Sequence, residues 1–191
     1  MMNKYTIGFA MCGSFCTFSK AIEQMRKLSE LGHSIVPIMS HNAYNTDTKF
    51  GKAKDFRKTI EDICGRSIIH SIVEAEPIGP KKMTDIMLIA PCTGNTLGKL
   101  CNAVTDTPVT MATKSHLRIQ RPLVITLATN DALGASAENL GKAINTKNIF
   151  FVPIKQDDPI TKPNSLVADF DFILPTIEMS MKNKQIQPVF I

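Results

Sequence analysis

Residues Thr84 to Thr113, TDIMLIAPCTGNTLGKLCNAVTDTPVTMAT, carry the reading that decides the fold. Ile86 to Ala90 is an unbroken apolar run of strand length, closed by Pro91 and a small polar cluster, Cys92-Thr93-Gly94-Asn95-Thr96. A buried strand ending in a tight loop is expected there. Beyond it, Leu97, Leu100, Cys101 and Val104 recur at three- and four-residue spacing, one face of a short helix begun by Asn95 or Thr96, both good N-caps. Such a unit is half of an ordinary βαβ repeat. It is equally an anion site, because a helix N-terminus beyond the carboxyl end of a parallel strand offers free N–H groups and a positive dipole end. Lys99, one turn in, adds a point charge. Spacing alone leaves both readings open.

The same layout recurs on either side. Tyr5 to Met11 reads as a first strand and Cys12-Gly13-Ser14-Phe15 as the turn after it, followed by a helix marked by Ala21, Ile22, Met25, Leu28 and Leu31 and ended by Gly32. A Gly-Ser hinge lets backbone approach a phosphate while the hydroxyl donates to it, although turn glycines are common. Ser34 to Met39 is a second strand, with Ser40-His41-Asn42-Ala43-Tyr44-Asn45 at its carboxyl end, either a solvated loop or part of a site. Phe50, Ala53, Phe56, Ile60 and Ile63 give an amphipathic helix closed by Gly65, its aromatics assigned to the core. Ser67 to Val73 is a short apolar strand carrying His70, and Glu74 and Glu76 read as surface carboxylates.

Downstream, Lys114 to Arg121, KSHLRIQR, forms a local positive cluster. It is either a solvated connection or an attractor for a dicarboxylate or an acidic partner. Pro122 to Leu127 is another buried strand, with Ala128-Thr129-Asn130-Asp131 after it and a helix carrying Leu133, Ala137, Leu140 and Ile144. Asn148 to Ile154 is a last strand, and Lys155 to Ser165 a polar surface loop whose Asp157, Asp158, Lys162 and Asn164 are alternatively a lid. Leu166 to Met181 reads as a helix kinked or broken by Pro175. The apolar tail from Pro188 to Ile191 is suited to packing on a further copy of the chain.

Composition bounds the function. At 191 residues, with 43% hydrophobic and 20% charged residues, the chain suits one globular domain. No apolar run approaches the ~20 residues of a membrane span, so a cytoplasmic protein is expected. Five cysteines without a C-x-x-C pair point neither to a disulfide framework nor to zinc. The net charge of +5 comes from scattered basic residues with little aromatic content, which suits an anionic small ligand better than nucleic acid.

The pattern A-P-x-T-x-N-T-x-x-K-x-x-x-x-x-x-D, here Ala90, Pro91, Thr93, Asn95, Thr96, Lys99 and Asp106, resembles the signature loop of the flavin-containing cysteine decarboxylase family. With DTPVTMA following and NDALG further on, the chain is most similar to an oxidoreductase subunit of that group. The resemblance implies FMN as cofactor, with NAD(P) entering only through a partner subunit. It further implies a small dicarboxylate substrate and a homo-oligomer of trimers or their multiples. It implies that Gly13, Ser14, Ser40, Thr93, Asn95 and Thr96 bind the ribityl phosphate, that Phe15 is a further cofactor-binding residue, and that Pro91, Cys92, Thr129 and Asn130 border the isoalloxazine or the substrate. For Cys92 the plainer reading is a small buried thiol. His70 and Asn130 are the candidate catalytic residues. Thr129 stands where the decarboxylases have the methionine of P-x-M-N, and the surroundings of His70 do not reproduce their histidine motif, so a different chemistry on the same scaffold is inferred. The alternatives are an FMN-dependent decarboxylase of a small carboxylate, and a non-catalytic partner with a vestigial phosphate site. The fold expected is α/β, a three-layer Rossmann-like doubly wound parallel sheet in a single domain.

Overall fold

The computed structural model describes residues 3–191. Strands β1 (Thr6–Met11), β2 (Ser34–Met39), β3 (Ile86–Cys92), β4 (Leu123–Thr129) and β5 (Ile149–Phe151) run parallel. β6 (Ile154–Asp158) and β7 (Lys162–Ala168) add an antiparallel hairpin, giving the order β2-β1-β3-β4-β7-β6. Strand β4 is forked: its first half pairs with β5 and its last residues, Ala128 and Thr129, pair with β7. The sheet is therefore mixed and parallel-dominated rather than purely parallel. Strands buried on both faces read as continuous apolar runs, which is why β3 was legible.

Helices cover both faces: α1 (Phe18–Glu30), α2 (His41–Asn45), α3 (Ala53–Cys64), α4 (Ile72–Ala75), α5 (Gly94–Cys101), α6 (Pro108–Leu117), α7 (Ala137–Ile144) and α8 (Ile173–Ser180). Phe9, Phe18, Met25, Leu88 and Ile177 belong to one core, beneath α1, α3 and α8. Met87, Ile89, Leu97, Val109 and Leu140 belong to the other, beneath α5, α6 and α7. A register shift between Ile89 and Cys92 turns Cys92 onto the face of Met87 and Ile89, which strict alternation denies it.

Several expectations are corrected. Residues 67–73 are not a strand: only Ile69 bridges to Ile38, and Ser71 starts α4 through a reciprocal capping box with Glu74. The loop over 155–165 and the start of the helix over 166–181 are the β6–β7 hairpin, whose turn is held by Asp158 accepting the N–H groups of Ile160 (3.1 Å) and Thr161 (3.0 Å). Lys162 pairs with Asp157 at 2.7 Å. Pro175 neither kinks nor breaks a helix. It is the third residue of α8, where its missing N–H has no intrahelical acceptor to lose. The strand placed over 148–154 is two strands, separated at Val152-Pro153.

The helix after β3 is capped by Thr93, not by Asn95 or Thr96. Phe50 lies outside α3 and is 50% exposed, with the Lys49 amine over its ring, so it is not core. The basic cluster is not uniformly solvated: Lys114 and Arg118 are exposed, but Arg121 Nη1 donates to the Thr84 carbonyl and His116 is fully buried.

Candidate functional site

Strand order reverses between β1 and β3, and the loops leaving the carboxyl ends of β1, β2 and β3 diverge there around a cleft of about 500 Å³. Gly13 comes from the first loop, Ser40, His41 and Asn42 from the second, and Thr93, Asn95 and Thr96 from the third. Lys99, Asp106 and Thr107 close the remaining side. A larger cavity of about 640 Å³ lies at the opposite, amino end of β4 and β5, around Gln120, Asn148 and Gln185, and contains none of these residues.

Three helices begin at the cleft, each capped by a hydroxyl. Ser40 Oγ accepts from Ala43 N–H at 3.3 Å, Thr93 Oγ1 from Thr96 N–H at 3.3 Å, and Thr107 Oγ1 from Thr110 N–H at 3.1 Å. Their carbonyls take the next amide, those of Tyr44, Leu97 and Met111. Each cap thus satisfies the third and fourth amides and leaves the first two aimed outward: His41 and Asn42 in α2, Gly94 and Asn95 in α5. In α6 the first position is Pro108, leaving Val109. Converging N–H groups and dipole ends favour an anionic group.

Lys99 does not act as a free charge. Its Nζ donates to both carboxylate oxygens of Asp106 at 2.8 Å, and this pairing holds Asp106 below the usual carboxylate range, with His41 adding a smaller pull. The pair is partly exposed to solvent, which screens it, so it contributes little to stability. Its consequence is geometric: it ties the segment after α5 to that helix and so sets Thr107 at the cleft wall.

Of the residues singled out in the sequence, Gly13, Ser40, Thr93, Asn95 and Thr96 line the cleft. Ser14 and Phe15 form the adjoining turn, with Ser14 Oγ 3.9 Å from Cys16 Sγ and the Phe15 ring on Phe18. Pro91 and Cys92 are buried in β3, and burial pushes the Cys92 thiol well above its ordinary value. Thr129 donates to Asp131 Oδ1 at 2.5 Å, and Asn130 is exposed just past the end of β4. His70 stacks on Tyr44 with ring centroids 4.2 Å apart and stands 3.5 Å from Glu74, outside the lining. Sequence reasoning passed over Thr107. The signal was present: Thr107-Pro108-Val109-Thr110 puts a hydroxyl at the cap, proline at the first helical position and the reciprocal hydroxyl at the third.

Gly94 fixes how α5 meets the loop after β4. A Cβ there would stand 2.6 Å from Thr129 Oγ1, 2.8 Å from Asp131 Oδ1 and 2.8 Å from Ser136 Oγ. These three atoms cannot yield independently, because Thr129 and Ser136 both donate to Asp131. Gly94→Ala is expected to destabilise by about 1–3 kcal/mol, the cost of overpacking. Gly141→Ala in α7, where a Cβ meets nothing within 4 Å, is expected to stabilise by about 0.5–1 kcal/mol instead. Urea midpoints of the two variants test the contrast.

Among the described residues no group of three or more His, Cys, Asp or Glu is placed to hold a metal ion, and no helix is long and apolar enough to cross a membrane.

The chain is 46% identical over 185 residues to the B-type subunit of dipicolinate synthase from Bacillus subtilis (strain 168), covering 97% of this chain and 92% of that relative. The crystal structure of the B-type subunit of dipicolinate synthase from Bacillus halodurans C superposes with a TM-score of 0.91 at 44% identity, over 100% of this chain and 98% of that one. The crystal structure of the FMN-dependent cysteine decarboxylase SpaF matches with a TM-score of 0.66 at 18% identity, over 93% and 96%, which is likeness of fold alone. The Flavoprotein family model matches residues 1–168. With the sheet, the switch-point cleft and the full-length relative in agreement, this chain belongs to the Flavoprotein family.

Proposed function

We propose that this chain is the flavin-mononucleotide-binding, B-type component of dipicolinate synthase, an oxidoreductase active in sporulation, working in the cytoplasm as one flavoprotein-like domain. The observation that carries the reading is the cleft itself, where three capped helix N-termini meet at the topological switch point. The donor set suits the group. The amides of Gly94 and Asn95 and the Ser14 hydroxyl meet the phosphate, while Ser40, Thr93 and Thr96 meet the ribityl chain. Gly13 admits close backbone approach. Pro91, Cys92, Thr129 and Asn130 border the ring system or the substrate, with the Asn130 amide directed to a carboxylate.

A bound flavin would supply an acceptor for the hydride that a dihydropyridine ring releases on becoming aromatic. The reaction so served is oxidation of dihydrodipicolinate to dipicolinate, with loss of a hydride equivalent and a proton. The A-type subunit of dipicolinate synthase is the expected partner and the source of any NAD(P). Assembly of this chain with itself, as trimers or their multiples, is supported by the exposed apolar tail residues Phe190 and Ile191. The decarboxylase alternative is not favoured, since its solved members share only the fold.

The test is the visible absorption spectrum of the purified protein, then titration with FMN. Flavin absorbance or saturable binding is expected, and Asn95→Pro, which removes an outward N–H that has no intrahelical acceptor at the second position of α5, should weaken it roughly tenfold, the worth of about one hydrogen bond to a charged group. A wild-type protein that neither carries nor binds FMN, yet copurifies with the A-type subunit, would establish the non-catalytic partner instead.

A further inference from the structure

One buried side chain is wired to the cleft floor. Thr93 Oγ1 donates to Thr96 Oγ1 at 3.1 Å, and Thr96 Oγ1 donates to Cys12 Sγ at 3.2 Å. Thr93 Oγ1 at the same time accepts Thr96 N–H. The hydroxyl chain therefore runs one way, inward from the cleft, and ends on the sulfur of a residue only 1% exposed, just past β1. A hydroxyl has one proton to give. With both protons committed inward, Thr93 and Thr96 turn only lone pairs toward a ligand.

We infer that Cys12 is a positioning residue which, as terminal acceptor of this chain, makes Thr93 and Thr96 hydrogen-bond acceptors for the polyol hydroxyls of a flavin and leaves its phosphate to the backbone amides of Gly94 and Asn95. The inference deepens the flavin-nucleotide reading and rests on it. Sulfur suits the task, because an acceptor at this depth must not bring a negative charge close to a phosphate. Burial holds the Cys12 thiol up at about 11, against the opposing hydrogen bond from Thr96, so it stays neutral at physiological pH.

The test compares Cys12→Val, which keeps bulk but removes the acceptor, with Cys12→Ser, which keeps an acceptor, and with Thr96→Val, which removes the donor. Each is titrated with FMN, riboflavin and inorganic phosphate. Cys12→Val and Thr96→Val should weaken FMN and riboflavin by the same factor, roughly 5- to 10-fold, and leave phosphate unchanged; Cys12→Ser should stay within roughly 2-fold of wild type. Weakened FMN with unaffected riboflavin would overturn the inference, because the threonines would then serve the phosphate. A second readout needs no flavin. In the ligand-free protein, amide exchange at Thr96 and Leu97 should quicken in Cys12→Val but not in Cys12→Ser. Unchanged exchange in Cys12→Val refutes the positioning role by itself. The expected exchange pattern in a wild-type chain that binds no FMN would refute the flavin reading and, with it, the ligand half of the inference.

Discussion

Alanine at position 79 is expected to destabilise the protein by about 3 kcal/mol, the upper end of overpacking costs. Gly79 follows the short helical turn Glu76–Ile78 and packs directly on α6. A Cβ there would overlap the carbonyl oxygen of Ser115 and come within 2.6 Å of its carbonyl carbon and 2.8 Å of its Oγ. The contact is backbone against backbone, locked by Gly79 N–H donating to Ser115 Oγ at 2.9 Å and Ser115 Oγ donating to the Glu76 carbonyl at 2.6 Å. No rotamer relieves it, so α6 must move. Because Thr107 at the other end of α6 forms part of the cleft wall, ligand affinity should fall together with stability. Urea unfolding and FMN titration of Gly79→Ala measure both. The double variant Gly79→Ala, Ser115→Ala should not recover wild-type stability, since the carbonyl remains; recovery would mean that only the side chain was in the way.

The second anchor of α6 titrates. His116 is fully buried, with Nε2 donating to the Pro122 carbonyl at 3.0 Å and Nδ1 accepting from the Thr84 hydroxyl at 3.0 Å, so it is held neutral in one tautomer. Burial is the largest cause pushing its pKa down from 6.5 to about 4. The unfolded chain therefore binds a proton at a pH where the folded one refuses it. Stability from this group is complete above about pH 6.5 and is lost as pH falls toward 4, by about 2 kcal/mol at pH 5 and about 3 kcal/mol at pH 4. Burial pushes the Cys12, Cys64, Cys92 and Cys101 thiols up, away from this window. His33, whose Nδ1 accepts Tyr5 N–H at 3.2 Å, is also pushed down by burial and adds a slope of the same sign. The difference between wild type and His116→Gln, followed by urea midpoints from about pH 7.5 to 4.5, isolates His116. Parallel curves would show that it carries no such linkage.

These two anchors are also where sequence reading was weakest. His116 sat inside KSHLRIQR and read as one of four positive charges on a connection. Nothing local marks it as buried, because its partners, Thr84 and Pro122, come from the starts of two neighbouring strands and meet it only through the sheet. Gly79 stands between Pro77 and Pro80, where nothing local distinguishes it from an ordinary turn glycine. Its requirement comes from α6, some 36 residues further on.

Elsewhere local chemistry was sufficient. The apolar runs 86–90 and 122–127 could only be buried strands, and amphipathic spacing with Gly32 and Gly65 in the left-handed conformation delimited α1 and α3. The β6–β7 hairpin was illegible for the opposite reason. Its outer residues are polar and its register is imposed by the end of β4, so 155–168 carried no signal of its own.

What the amino-acid sequence by itself determined is the alternation of strand and helix, the polar turns at the strand ends, and the family, since propensity, capping and motif identity are properties of short stretches. What only the tertiary structure decided is which turns share a cleft, that Lys99 is already neutralised by Asp106, that the threonine hydroxyls run inward to Cys12, and that α6 hangs from Gly79 and His116. Those depend on distances between segments far apart in the chain, and such distances exist only once the sheet has brought them together.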